Sequence, residues 1–242
     1  MGFRTFLPTE EQFELRSKDK LVELSKELGC HYPKTVIAHS LDEVAKCLRE
    51  DIHLPAIVKG KYYKAYMIYN IETALFKGAE IAAEWGYPLL VQERVTGQEI
   101  NLIGLADGEG HLLGRVAIKK QLTTQLGKVW TGVTIQDDLL DRLAKRFCEV
   151  TKWRGPFELE CIREGSILHM IEINPRFPAW LYFATAVGIN LPKRLIDFIM
   201  HGKCDNSLDY PAGKFLVRQT SEFVTDLSYF QNLLTSRNRE GL

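Results

Sequence analysis

The sequence predicts an α+β fold, and three observations carry that prediction. Helical and strand-like stretches alternate along the chain. The strand-like stretches come in adjacent pairs joined by turn signals, which marks antiparallel hairpins and not a doubly wound parallel sheet. The 45% apolar content of 242 residues is enough to bury a core, as one large domain or as two lobes sharing a cleft.

Residues 1–16 read as a polar, poorly ordered start. "SKDKLVELSKELG" follows as a helix, with Ser17 and Asp19 in capping positions, Leu21, Leu24 and Leu28 at helical spacing, and Gly29 as its stop. "KTVIAHS" is a short strand, and "SLDEVAKCLRE" a helix started by Ser40. "LPAIVKG" is a strand with "AYMIYN" as its hairpin partner, and "IETALFKGAEIAAEWG" a helix ending at Gly86. After the strand "YPLLVQERV", two alternating segments, "QEINLIGLAD" and "HLLGRVAIKKQ", are joined by the turn signal "GEG". "DDLLDRLAKRFCEVTKW" is a helix with an acidic first turn. The strands "PFELECIRE" and "ILHMIEINP" form a hairpin about Glu164 to Ser166, and helices from Trp180 to Val187 and Leu191 to Met200 close the series.

Bulk properties narrow the function. The 31 basic and 31 acidic residues cancel, so no global field favours nucleic acid or an anionic membrane. No apolar run reaches the roughly 20 residues of a membrane span, and the start has neither a basic n-region nor an h-region, so the expected location is cytoplasmic. Five scattered cysteines without a CxxC pair suit buried thiols in a reducing compartment.

The informative stretch is "FELECIREGSILHMIEINPRFPAW", which puts Glu158, Glu160, Glu172, Asn174 and Arg176 in strand-like, apolar chain. Period-two alternation gives Glu158 and Glu160 one face, and Glu172 and Asn174 one face. In a hairpin Glu160 and Glu172 can lie opposite each other, where like charges cost up to roughly 1 kcal/mol. A hard divalent cation held by two carboxylates and an amide compensates that cost, with Arg176 free to meet phosphate. The alternative is an exposed acidic sheet face on which Arg176 pairs with one of the acids.

These residues resemble the ATP-grasp superfamily, in which an acid on one strand precedes Glu-x-Asn-x-Arg on the next. "LYFATAVGINLPKRLIDFIMHGK" resembles the helices that follow in its carbamoyl-phosphate-synthase-like and amino-acid-ligase-like branches. "SKDKLVELSKELGCHYPKT", "LPAIVKG" and "LLVQERVTGQEINL" resemble the start of the grasp module, its lysine strand, and its hinge with a ribose-contacting acid. The resemblance covers residues 17 to 203. It implies two α+β lobes with the nucleotide cleft between them: a polar segment 1–16, a small lobe 17–90, a large lobe 91–205 with the metal site, and a C-terminal extension 206–242.

Carried over by position, the resemblance implies ATP and Mg2+ (or Mn2+) as cofactors. Lys20 and Lys59 would contact phosphates, the hinge of Gln92, Glu93 and Val95 would meet adenine, and Glu99 would hold the ribose. Glu160, Glu172 and Asn174 would hold the metal, with Arg176 over the transferred phosphoryl. Arg115, Lys119 and Lys120 are further candidates; alternation keeps Lys119 and Lys120 from sharing a cleft, and Lys119 is assigned to it. Trp180 and Tyr182 would shape an acceptor pocket, and His169, between apolar residues, is structural.

The implied activity is an ATP-dependent carboxylate–amine (or ammonia) ligase that works through an acyl-phosphate and releases ADP and phosphate. Two other readings stand beside it: a carbamoyl-phosphate-synthase-like split subunit acting on bicarbonate or carbamate, and a non-catalytic nucleotide- or partner-binding module. The partners implied are small carboxylates and amines, a separate N-terminal-domain subunit, and a second copy in a homodimer. The chain departs from the family in two places. Where members carry a glycine-rich phosphate loop, it has "KGKYYKAYMIYN", in which Lys61 and Lys64 replace amide contacts or the lid is shortened; and fewer than twenty residues precede the grasp module, where an α/β domain is usual.

Overall fold

A computed structural model of the chain describes residues 5–124, 127–219, 222, 224–229 and 231. Two antiparallel sheets divide it. The small sheet has the order β1-β4-β2-β3, from β1 (Thr35–Ala38), β2 (Ala56–Gly60), β3 (Ala65–Ile68) and β4 (Leu89–Glu93). The large sheet has the order β10-β7-β6-β5-β8-β9, from β5 (Gln98–Asp107), β6 (Leu112–Thr123), β7 (Val129–Ile135), β8 (Arg154–Glu164), β9 (Ile167–Asn174) and β10 (Phe215–Val217). Residues 94–97 carry the chain from one sheet to the other.

Each sheet is shaped by what it must bury. In the small sheet Ala38, Ala56, Val58, Ile68, Leu89 and Val91 share one face and pack under α3 (Leu41–Glu50) and α4 (Ile71–Trp85). Both helices begin where the sequence caps them: Ser40 accepts from the Glu43 amide and Asn70 from the Thr73 amide. The large sheet is covered on both faces. Ile100, Leu102, Phe157, Leu159 and Ile173 join α2 (Leu21–Leu28) and α5 (Asp138–Thr151) in one core. Ile103, Leu105, Val116 and Ile118 face the other way, under α6 (Leu181–Ala186) and α7 (Leu191–His201).

Four sequence expectations are corrected. The polar start contains a helix, α1 (Glu10–Leu15), held by a Thr9–Gln12 capping box, and Gln12 also donates to the Thr151 and Lys152 carbonyls that end α5. Helix α2 begins at Leu21 on Lys20 without a side-chain cap, so Ser17 and Asp19 do not cap it. Its Leu21, Leu24 and Leu28 pack on the large sheet, which moves α2 out of the 17–90 lobe. Strand β7 was not anticipated, and β10 pairs with it, so residues up to Val217 of the 206–242 segment belong to the large sheet. Tyr210 fixes that return, accepting from the Ala117 amide at 2.9 Å and donating to the Ile135 carbonyl at 2.7 Å. Residues 1–4 of the first segment and 220–221, 223, 230 and 232–242 of the last lie outside the described residues. All five cysteines are free thiols. Among the described residues no helix is long and apolar enough to cross a membrane.

Candidate functional site

The site grows from one end of the inner face of the large sheet. Registers place Asn101 opposite Glu160, Glu160 opposite Glu172, and Glu158 opposite Asn174, so the acids and both amides share a face. That sharing depends on a bulge. Cys161 pairs with Met170, and unbroken register would next put Glu160 against Ile171. The shift between Glu160 and Cys161 turns Glu172 and Asn174 onto the face of Glu158 and Glu160.

Glu158 is the deepest of the acids, 3% exposed. It accepts from Asn101 Nδ2 at 2.8 Å, Trp180 Nε1 at 2.8 Å and Asn174 Nδ2 at 3.2 Å, and Arg176 Nη1 lies 3.9 Å away. Burial first, and then the neighbouring Glu160 charge, push its pKa up. Glu160 accepts from Asn174 Nδ2 at 2.9 Å and from Lys120 Nζ at 2.8 Å, and the same ammonium is 3.3 Å from Glu99. Burial opposes the Lys120 charge, but Glu160 and then Glu99 more than offset it, so its pKa is raised. Glu172 is paired with Lys18 at 3.6 Å.

The small sheet faces this cluster with a lysine. Lys59 is 4% exposed, and its ammonium meets Gln92 Oε1 at 2.5 Å; Gln92 in turn donates to Thr35 Oγ1 at 2.8 Å. Burial, then repulsion from Lys18, lower the Lys59 pKa from 10.5 to about 8, against the pull of Glu172 and Glu160. Tyr32 lies in the same cleft: burial is the main cause that raises its pKa to about 12, and Glu172 and Asp19 add to it. The β2–β3 turn at 61–64 is tied down: Lys18 Nζ donates to the Tyr62 carbonyl at 2.9 Å, Lys61 pairs with Asp19 at 3.4 Å, and Lys64 pairs with Glu84. A side chain at Gly60 would meet the Tyr63 carbonyl at 2.5 Å, so this tight turn requires glycine there.

The expected residues divide accordingly. Lys59, Gln92, Glu99, Glu160, Glu172, Asn174 and Arg176 are brought together about one cleft, and Glu93 and Val95 follow Gln92 toward the crossing between lobes. Glu93 accepts from the Lys34 amide at 2.7 Å. Lys20 is corrected: it is exposed at the start of α2 beside Thr9, Glu10 and Glu14, and Lys18 enters the cleft in its place. Lys119 is corrected too. It pairs across β5 with Ile100, a residue of the α2–α5 core, so alternation sends it to the opposite face and gives the cleft Lys120. Arg115 is engaged with Asp141 and the Leu208 carbonyl. Trp180 is buried against Glu158, while Tyr182 is exposed. The sequence alone assigns no role to Lys18, Tyr32 or Asn101, and names Lys120 as a candidate but gives the cleft to Lys119; for Asn101 a signal is available, since it alternates with Glu99 on the same strand.

The cleft oxygens suit a hard divalent cation. Among the described residues no three His, Cys, Asp or Glu side chains converge as a ready-made cage. Two opposed carboxylates and an amide are nevertheless the donor types that magnesium and manganese take, with waters or phosphates completing the shell. The buried Oδ1 of Asn101, on the amide that holds Glu158, is an acceptor without a donor, which also favours a cation nearby.

A family model described as ATP-grasp in the biosynthetic pathway with Ter operon matches residues 87–222, more than half of the chain. The chain belongs to this ATP-grasp family. Among curated proteins, this ATP-grasp chain is 24% identical over 228 residues to the carbamoyl phosphate synthase large chain of Clostridium acetobutylicum, covering 89% of itself and 21% of that protein. The Saccharolobus islandicus large chain is 23% identical, over 86% of this chain and 21% of the relative. The chain thus spans about a fifth of the length of the curated relatives it matches. Solved structures share its ATP-grasp fold. Phosphoribosylamine–glycine ligase from Thermotoga maritima superposes with a TM-score of 0.68 at 15% identity, covering 87% of this chain and 60% of the ligase. The biotin carboxylase domain of Hydrogenobacter thermophilus 2-oxoglutarate carboxylase, a dimer in complex with MgADP, ADP and bicarbonate, gives 0.70 at 17% identity over 86% of this chain and 51% of that one.

Proposed function

We propose that the chain is an ATP-dependent carboxylate–amine (or ammonia) ligase that activates its carboxylate as an acyl-phosphate and releases ADP and phosphate. The observation that carries this reading is the placement of the Glu160–Glu172 pair and Asn174 on one lobe opposite the buried Lys59 of the other. Membership of the ATP-grasp family supports it at the level of reaction class.

Each residue then has a task. Lys59 and Lys18 neutralise nucleotide phosphates, backbone groups of Gln92 to Val95 meet adenine, and Glu99 takes the ribose hydroxyls. Glu160, Glu172 and Asn174 would hold magnesium or manganese, which when bound screens phosphate charge. Arg176, 57% exposed in its side chain and 3.5 Å from Asn174 Oδ1, stabilises charge on the transferred phosphoryl. Glu158 is a positioning residue that fixes Asn174 and restrains Arg176. The lobes orient the reactants and exclude water. The same reading puts the chain in the cytoplasm, where free thiols persist, and admits a homodimer like the carboxylase neighbour.

A second reading follows from the carbamoyl phosphate synthase relatives: phosphorylation of bicarbonate or carbamate. Phosphate release stimulated by bicarbonate and not by amino acids selects it. The first test is calorimetric titration with a non-hydrolysable ATP analogue, with and without magnesium. Magnesium-dependent binding lost in Glu172→Ala supports the proposal, and equal binding by both proteins sinks the metal assignment.

A further inference from the structure

Each carboxylate of the opposed pair is matched by its own lysine, and the two lysines come from different parts of the chain. Lys120, on β6, is 2.8 Å from Glu160 and 3.3 Å from Glu99, with a side chain only 7% exposed. Lys18, between α1 and α2, is 3.6 Å from Glu172 with a side chain 8% exposed, and it also holds the Tyr62 carbonyl. Sheet packing does not require a lysine at position 120. The preceding residues on that face, Val116 and Ile118, are apolar core, and a buried ammonium is costly unless acids compensate it. An ammonium fixed in ion-pairing reach of a carboxylate competes with any second cation for the same oxygens.

We infer that Lys120 and Lys18 are built-in counter-ions that occupy Glu160 and Glu172 in the nucleotide-free protein, so that a divalent cation enters only together with nucleotide phosphates. The inference rests on the reading that Glu160, Glu172 and Asn174 hold the cation. Phosphates are the exchange partner, because their charge attracts the ammoniums as the cation takes the carboxylates. Local charge stays balanced before and after the exchange. Lys59, held by the neutral Gln92, takes no part in it. Lys120 is therefore a positioning residue whose removal should strengthen binding of the free ion.

Mn2+ alone is the probe, followed by the electron paramagnetic resonance signal of the free ion, without nucleotide and then with a non-hydrolysable ATP analogue. Wild type should take up Mn2+ only with the analogue. Lys120→Met should take it up without nucleotide, its Kd falling by about tenfold or more, and Lys120→Arg should behave as wild type. Circular dichroism checks the fold, and Lys18→Met makes the same test from the Glu172 side. Wild type binding Mn2+ alone as tightly as the methionine variants overturns the inference and leaves the ligand assignment standing. No uptake by wild type with the analogue overturns the ligand assignment, and the inference with it.

Discussion

On the small sheet Lys59 is 4% exposed and its ammonium meets a neutral amide, Gln92, at 2.5 Å, whereas on the large sheet Lys120 meets two carboxylates, Glu160 at 2.8 Å and Glu99 at 3.3 Å. The same side chain in two buried settings acquires opposite pKa shifts: Lys59 is lowered by burial, and Lys120 is raised because its acids outweigh burial. An ammonium beside a neutral partner keeps its charge available for an anion that has yet to arrive. One already paired with carboxylates tunes those carboxylates instead. On the proposed reading the small lobe is prepared for phosphate and the large lobe for cation exchange, and the comparison can be broken from either side.

The largest effect is expected on the large lobe. Glu172→Ala removes one of two opposed carboxylates, and substrate-stimulated phosphate release should fall by at least about 100-fold, since loss of outer-shell support alone costs 10–100-fold at metal sites. A drop of less than tenfold means that the pair does not serve the chemistry.

Lys59→Met tests the small lobe. Nucleotide affinity should fall roughly 10- to 100-fold, the worth of a charged hydrogen bond to phosphate. Stability should respond in the other direction. The unfolded chain titrates this lysine at 10.5 and the folded one at about 8, so between those values the unfolded state binds more protons. Nucleotide-free wild type should therefore gain stability relative to Lys59→Met as pH rises from about 8 toward 10.5, as denaturation midpoints at each pH would show. Over the same range its affinity advantage for nucleotide should shrink. A flat stability difference would show that Lys59 is not desolvated.

Trp180→Phe sharpens the account of Glu158. The ring keeps its packing but the indole N–H, 2.8 Å from Glu158, is lost, leaving a buried carboxylate short of a donor. Stability should fall by about 1–3 kcal/mol in urea denaturation. A change below about 0.5 kcal/mol would mean that Asn101 and Asn174 satisfy the carboxylate without Trp180.

These contrasts also show what the sequence makes legible. The helices α3 and α4 and the β5–β6 and β8–β9 hairpins follow from caps, spacing and turn signals, and so does the chance for Glu160 to face Glu172. The bulge that completes the site is not visible, because nothing in "LHMIEIN" marks one extra residue, yet without it Glu172 would leave the face. Strand β7 hid because Gly132 interrupts an otherwise β-branched and aromatic run. The apolar stripe of α2 foretells burial but not against which sheet. Lys18 and Lys20 have the same composition signal, and only the turn between α1 and α2 decides which one enters the cleft.

The smallest effects are expected where sequence reasoning chose the wrong neighbour of a correct pair. Lys119 lies opposite Ile100 on β5, and Ile100 belongs to the core under α2 and α5, so the Lys119 stem leans away from the cleft. Lys20 is exposed at the start of α2, where no side-chain bond caps the helix. Neither ammonium meets an acid of the cleft, so Lys119→Ala and Lys20→Ala should each change stability by less than about 0.5 kcal/mol and leave nucleotide affinity unaltered. Lys120→Ala and Lys18→Ala, one or two residues away, should alter cation and nucleotide binding strongly. The four variants form a register test in which only an alternating strand and a turn separate active from silent positions. If Lys119→Ala weakened nucleotide binding tenfold while Lys120→Ala did not, β6 would have to be displaced by one residue against β5, and its core residues Val116 and Ile118 would have to exchange faces with it.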